Sequence, residues 1–353
     1  MFKLSVCMIV KNEEKFLERC LESLKKSVDE IIIVDTGSTD KTIEIAKKFT
    51  EKIYSYNWES DFAKARNFSI SKASYDWILV VDADESAIEF DREKVELELN
   101  NSKLLVGRIE RINPFEDSDG IHIYKERVNR LFNKNQFEYS GKIHEQIVYK
   151  ADYEREYDLV DIPITLNHDG YMDSVINETN KLDRNLNMLL EVRKTNTKDS
   201  YINYQLGKTY YKKKNYEEAY FSFKESLEHT KNLRYEYAED LVESFGYTMI
   251  KLGKYQEGLV LEEFKEIYGN NPDYNFVMGL IFMNNAKFKE AINSFENAKK
   301  SIDSKIEGVN SYLANYNIGV IYEVLGYKEE AKSYYEQCGK YRLAVLRLEE
   351  LKK

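Results

Sequence analysis

Four strand-like segments, LSVCMIV (4–10), EIIIVD (30–35), KIYSYNW (52–58) and WILVV (77–81), are separated by stretches whose apolar residues recur every three or four positions. Strands without polar alternation are buried on both faces, and amphipathic helices between them are what covers a parallel sheet. Helices are expected from Glu14 to Lys26, with Phe16, Leu17, Cys20, Leu21 and Leu24 on one face, from Thr39 or Asp40 through Phe49, and from about Asp61 to Ala73. In such sheets ligands gather beyond the carboxyl ends of the strands, where the strand order reverses. Three polar loops fall there: Lys11-Asn12-Glu13, Asp35-Thr36-Gly37-Ser38 and Asp82-Ala83-Asp84-Glu85.

From residue 104 to 168 the period changes. KLLVGRIERI, GIHIYKERVNRLF and HEQIVYK alternate apolar and polar residues, as half-exposed antiparallel strands do. The first part of the chain thus reads as one Rossmann-like α/β domain with a mixed sheet over residues 1–170, followed by a helical linker over 171–200.

The rest is helical and repetitive. Gly207, Gly246, Gly279 and Gly319 are each preceded by a large residue (Leu206, Phe245, Met278, Ile318) and followed three positions on by another (Tyr210, Met249, Phe282, Tyr322). Twelve positions on stands a small residue (Ala219, Gly258, Ala291, Ala331), and sixteen on an aromatic (Phe223, Phe295, Tyr335), Glu262 being the exception. Small residues where two helices cross and large ones between them are the tetratricopeptide signature. The glycine spacings of 39, 33 and 40 bracket the ideal of about 34. An all-α solenoid over residues 201–340 is expected, closed by a polar-faced capping helix over 341–353. Such solenoids offer extended concave surfaces for binding; a polypeptide partner is the expectation, and a two-fold homodimer stays open.

The net charge of −10 argues against broad phosphate-backbone binding, so no nucleic-acid partner is expected. Cys7, Cys20 and Cys338 lie far apart without CxxC spacing and read as reduced core residues. The apolar part of MFKLSVCMIVKNEE is too short for a signal peptide, and no transmembrane-length run follows; a soluble, cytoplasmic protein is the expectation.

Asp82 and Asp84 stand one residue apart where a buried strand ends. Oxygen ligands of this kind suit Mg²⁺ or Mn²⁺, which fill their remaining positions with water and substrate phosphates. A cation there neutralises a diphosphate leaving group. The chain has no GxxxxGK[ST], DTGSTD lacks the GxGxxG of dinucleotide folds, and HExxH and paired CxxC are missing.

CMIVKNEEKFLERCLESL, EIIIVDTGSTDKT and DFAKARNFSISKASYDWILVVDADE together resemble the family-2 glycosyltransferases of GT-A fold. The resemblance is strongest to the branch with tetratricopeptide repeats behind the catalytic domain. SGKIHEQIVY and NHDGY look like segments of the sublancin-type bacteriocin peptide S-glycosyltransferases. The resemblance implies an inverting, metal-dependent hexosyltransferase that uses a UDP-sugar with Mn²⁺ or Mg²⁺. It implies a base pocket lined by Val10, Lys11, Asn12 and Glu13. Asp35 would help to hold the uracil, although Thr36 stands where many relatives have a second Asp. Asp82 and Ala83 would lie near the ribose, and Asp84, with Asp82, would meet the metal. Arg66 would lie near the nucleotide, where a guanidinium can pair with carboxylate or phosphate.

An inverting enzyme needs a carboxylate to take the acceptor proton. Glu145 is the candidate base; the structural alternative pairs it with Arg127 or Arg130. His168 is the candidate to complete the metal shell, with Asp169 as the alternative. The acceptor is expected to be a polypeptide held by the repeats, a bacteriocin precursor or a flagellin-type protein modified on Cys or Ser/Thr. A lipid-linked or lipopolysaccharide core sugar is the alternative acceptor. A reading of another class is a non-catalytic repeat scaffold with a vestigial sugar-nucleotide domain.

Overall fold

The computed structural model describes residues 2–99, 104–117, 120–168 and 178–352. The chain forms two compact units, with the main boundary at 176/177.

The N-terminal unit begins β1 (Leu4–Val10), α1 (Leu17–Leu24), β2 (Glu30–Asp35), α2 (Thr42–Ala46), β3 (Ile53–Ser55), α3 (Phe62–Ser71) and β4 (Trp77–Val80). It continues with β5 (Glu85–Phe90), α4 (Arg92–Leu99), β6 (Leu105–Asp117), β7 (Gly120–Asn133), β8 (Phe137–Ser140), β9 (Gln146–Tyr149) and β10 (Asp158–His168). The eight-stranded sheet has the order β3-β2-β1-β4-β7-β6-β10-β5, and β8 and β9 form a separate antiparallel pair. β3, β2, β1 and β4 are parallel. β7 runs antiparallel to β4, yet β10 returns parallel to β6. Successive residues of a strand face opposite sides. Leu4, Val6, Met8 and Val10 therefore pack with Leu17, Cys20, Leu21 and Leu24 of α1. Cys7 of the same strand packs on the other side with Ala63 and Ile70 of α3. All three cysteines are free and buried.

The expected third strand and the helices around it are shorter than the sequence suggests. KIYSYNW gives only Ile53–Ser55 because β3 is an edge strand paired on one side. β5 was hidden in ESAIEF, a segment with no apolar run, and its pairing with β10 makes it a strand.

Glu30 ties the start of β2 to its neighbours. It pairs with Lys52 and accepts hydrogen bonds from Ser5 Oγ at 2.5 Å and Ser74 N–H at 2.8 Å. Burial alone would raise this carboxyl, but the hydrogen bonds from Lys52, Ser5 and Ser74 outweigh it and pull it down to about 2. In the unfolded chain a glutamate titrates near about 4.3. The pairing therefore contributes fully above that value and is lost as the pH falls toward 2. Both tryptophans, Trp58 and Trp77, lie in this unit and report its unfolding. Urea midpoints followed by tryptophan fluorescence are expected to fall across this acid window in the wild type and to flatten in Glu30→Gln.

The C-terminal unit contains α5 (Glu178–Thr195), then helical pairs built from α6 (Ser200–Lys212) and α7 (Tyr216–His229), α8 (Glu236–Lys251) with a broken second helix, α11 (Pro272–Asn284) and α12 (Phe288–Ala298), and α13 (Tyr312–Val324) and α14 (Lys328–Glu336). α15 (Arg342–Leu351) follows. The glycine–aromatic spacing read from the sequence is a direct contact. A Cβ on Gly207 would lie 2.4 Å from the Phe223 ring, and one on Gly279 2.6 Å from Phe295. In the repeat where Glu262 replaces the aromatic, Gly246 faces Val277 and Leu261 instead. There the second helix is split into α9 (Tyr255–Gly258), a 3-10 segment (Leu259–Phe264) and α10 (Lys265–Tyr268). The Leu261 carbonyl accepts from Tyr274 Oη at 2.8 Å, a hydrogen bond from outside the helix that accompanies the tighter winding. Gly279→Ala is expected to destabilise this unit by about 2 kcal/mol, since overpacking a tight crossing displaces the Phe295 ring; far-UV circular dichroism against urea checks it.

Candidate active site

The β1 and β2 loops are stitched to each other. Asn12 is held in the left-handed region at φ 56°. Its N–H donates to Ser38 Oγ at 2.9 Å, and its Oδ1 accepts from Thr39 N–H at 2.8 Å. Glu13 N–H donates to Thr42 Oγ1 at 2.7 Å. Asp35 turns its carboxylate onto its own loop, accepting from Ser38 N–H at 3.0 Å and Gly37 N–H at 3.3 Å. Thr36, the departure from the family pattern, donates its hydroxyl to the Val10 carbonyl at 3.1 Å. Val10, Lys11, Asn12, Glu13 and Asp35 thus share one edge of the sheet with Asp82, which follows β4 where the strand order reverses beside β1.

Asp82 is gripped from both sides. Arg66 Nη2 donates to its Oδ1 at 3.0 Å and Arg130 Nη2 to its Oδ2 at 2.7 Å. Burial disfavours the charged carboxylate, but Arg130 and Arg66 outweigh burial and hold it well below the usual range. Burial likewise opposes charge on Arg66 and Arg130, and the neighbouring carboxylates raise both. Arg66 also donates from Nε to Glu145 Oε1 at 2.5 Å, so the candidate base pairs with Arg66 rather than with Arg127 or Arg130. Arg66 Nη1 is buried and has no hydrogen-bond partner among the described residues.

The local sequence explains this placement. Asp61 caps α3 by accepting from Lys64 N–H at 2.9 Å. One turn on, Arg66 points to Asp82 while Asn67 clamps the Tyr139 backbone, accepting its N–H at 2.9 Å and donating to its carbonyl at 2.8 Å. The loop from β8 to β9 then turns through Gly141 at φ 102° and His144 at φ 50°, which delivers Glu145 to Arg66.

Asp84 stands apart from this pair. Its Oδ2 faces His168 Nε2 at 3.4 Å. Glu85 is fully buried, accepts from Asp82 N–H at 2.9 Å, and takes hydrogen bonds from Arg111 at 3.0 Å and Arg130 at 3.2 Å. Arg111 continues to Glu126 at 2.9 Å. Asp169 lies outside the described residues. Among the described residues no three His, Cys, Asp or Glu side chains converge as a ready metal cage. Asp84 and His168 nevertheless make a two-ligand oxygen and nitrogen pair of the kind that leaves positions for water and phosphate oxygens. Among the described residues, Asp82, Glu85, Glu126 and Glu145 pair with Arg66, Arg111 and Arg130. Each oxygen of Asp82 accepts from one guanidinium and keeps a further lone pair, and Asp84 with His168 offers an oxygen and a nitrogen that fit a cation.

Arg111, Arg130, Asn113 and Glu126 did not emerge from the sequence as site residues. Their signal was parity: Arg111 and Asn113 share one face of β6, and Glu126 and Arg130 share one face of β7.

Residues 5–157 match the glycosyl transferase family 2 model, and residues 200–233 and 312–342 match tetratricopeptide repeat models. The N-terminal unit carries a family-2 glycosyltransferase domain, and a region of tetratricopeptide repeats follows it. Among curated proteins, a TPR repeat-containing protein of Synechococcus elongatus is 37% identical over 148 residues, covering 42% of this chain and 36% of its own. The SPbeta prophage-derived glycosyltransferase SunS of Bacillus subtilis is 29% identical over 198 residues, 52% of this chain and 44% of its own. An uncharacterized glycosyltransferase of Rickettsia bellii is 29% identical over 178 residues, 48% of this chain and 59% of its own. The chain thus spans less than two thirds of the length of each of these relatives. No helix among the described residues is long and apolar enough to cross a membrane.

Arg130→Met strips one guanidinium from Asp82 and from buried Glu85. Removing one partner of a buried ion pair is expected to cost about 3 kcal/mol, read by tryptophan fluorescence against urea. Asp82→Asn in the same chain should return part of that loss.

Proposed function

We propose that the N-terminal unit transfers a sugar, with inversion, from a UDP-sugar to a polypeptide acceptor held by the repeats, and that the reaction depends on Mn²⁺ or Mg²⁺. The observation that carries this reading is that the turn after β4 holds both Asp82, which Arg66 joins to Glu145, and Asp84, which faces His168. The family-2 match over residues 5–157 supports the transferase class, and the repeat matches support a peptide partner.

In this reading Val10 to Glu13 and Asp35 receive the base, and Asp82 and Ala83 lie beside the ribose. Asp84 and His168 would hold the cation, which when bound supplies positive charge to the diphosphate. Arg66 has one donor, Nη1, still unspent, and a buried donor without a partner is costly unless a ligand satisfies it. A phosphate oxygen is the complement of that donor. Glu145 keeps the carboxylate oxygen that Arg66 does not engage for the acceptor proton. The acceptor's oxygen or sulfur forms its bond to the sugar's C1, the bond from C1 to the diphosphate breaks, the proton passes to Glu145, and UDP leaves with the bonding electrons.

Thermal unfolding with a panel of UDP-sugars, with and without Mn²⁺, tests the donor and the metal together. A donor at about 100 times its Kd should add about 2.7 kcal/mol to the folded state, only with Mn²⁺ and not in Asp84→Asn. A donor that stabilises Asp84→Asn equally would remove Asp84 from the metal site. Glu145→Gln should still bind donor but transfer at least about a hundredfold more slowly; unchanged transfer removes Glu145 as the base.

A further inference from the structure

Asn113 lies on β6, and β6 pairs in parallel with β10, which carries His168. Its side chain is 1% exposed. The amide nitrogen donates to Glu126 Oε1 at 2.8 Å, to the Tyr124 carbonyl at 3.2 Å and, at 3.5 Å, to the Arg111 carbonyl. Carboxylate and carbonyl oxygens only accept, so these partners fix which end of the amide is nitrogen. The oxygen end then faces His168 Nδ1 at 2.8 Å. An amide oxygen cannot donate, so Nδ1 must carry the hydrogen. In the neutral imidazole the lone pair is thereby placed on Nε2, the atom that faces Asp84 Oδ2 at 3.4 Å. Two lone-pair atoms aimed at each other at this distance repel unless a proton or a cation lies between them.

We propose that Asn113 is a positioning residue: oriented by Glu126 and the Tyr124 carbonyl, it locks His168 in the Nδ1–H tautomer and so directs the Nε2 lone pair toward Asp84, as a ligand for the divalent cation the two would share. This rests on the metal-dependent reading above. Glu126 also holds Arg111, and Arg111 holds Glu85, so the orientation of His168 is tied to the same side chains that support Arg130 against Asp82.

The test uses the full chain and two readouts besides activity. The first is ¹⁵N NMR of the histidine rings in metal-free protein at pH 8.5, with the His168 signals among the four histidines assigned by difference from His168→Gln. The Nδ1–H tautomer is expected; a neutral Nε2–H ring overturns the proposal without needing any variant at Asn113. The second is Mn²⁺ affinity by electron paramagnetic resonance. Loss of a partner behind a histidine ligand weakens metal binding by about 10- to 100-fold, and that loss is expected in Asn113→Leu. Wild-type affinity in Asn113→Leu, together with Mn²⁺ binding that Asp84→Asn abolishes, overturns the positioning role and leaves the metal site standing. Mn²⁺ binding that is absent, or equal in wild type and Asp84→Asn, removes the metal and the positioning role together.

Discussion

The candidate site depends on the grip of Arg66 and Arg130 on Asp82. It joins α3, the end of β4 and β7 at one point, and through Arg66 it reaches the loop that carries Glu145. Buried ion pairs are weak sources of net stability, because desolvating the charges offsets much of their attraction. A cluster of this size at a sheet edge is therefore better explained by what it positions than by what it stabilises. The orphaned Nη1 of Arg66 supports this view, since a purely structural network gains nothing by leaving a buried donor unpaired.

Much of the architecture could be read from residues alone, for physical reasons that differ between the two units. In the parallel half, burial on both faces removes polar residues from β1 and β2, and the resulting apolar runs are hard to mistake. In the repeats, the crossing of two helices leaves no room for a Cβ, so glycine and the aromatic sixteen residues later identify each other. What escaped was structure decided by distant partners. β5 is a strand because β10 lies beside it, and β10 runs parallel to β6 although both alternate like antiparallel strands. The broken helix in the second repeat had a signal, the glutamate where an aromatic was due, but its 3-10 winding accompanies a tyrosine hydroxyl that reaches a main-chain carbonyl from the next helix.

The candidate site divides in the same way. Acids at strand ends were visible because nothing in a buried strand explains them; Arg66 pairs with Asp82 and Glu145, and His168 faces Asp84. The arginines of β6 and β7 were not visible, because alternation in a strand says which face a residue takes and not what waits there. Arg111 and Arg130 look like ordinary solvated charges until β5 brings Glu85 beneath them.

The distribution of hydrogen bonds also separates the two acids of the Asp-x-Asp pair. A carboxylate whose two oxygens each accept from a guanidinium keeps lone pairs, but a cation placed on it would face two positive neighbours at close range. Asp84 faces an imidazole, a ligand that carries no charge when neutral. In the metal-dependent reading one acid would organise the arginines while the other met the cation. Placing them one residue apart would put fixed positive charge and an exchangeable cation on either side of the same short turn. A diphosphate lying across that turn would be neutralised from both sides, with the arginine charge present before the ligand arrives and the cation able to enter with it.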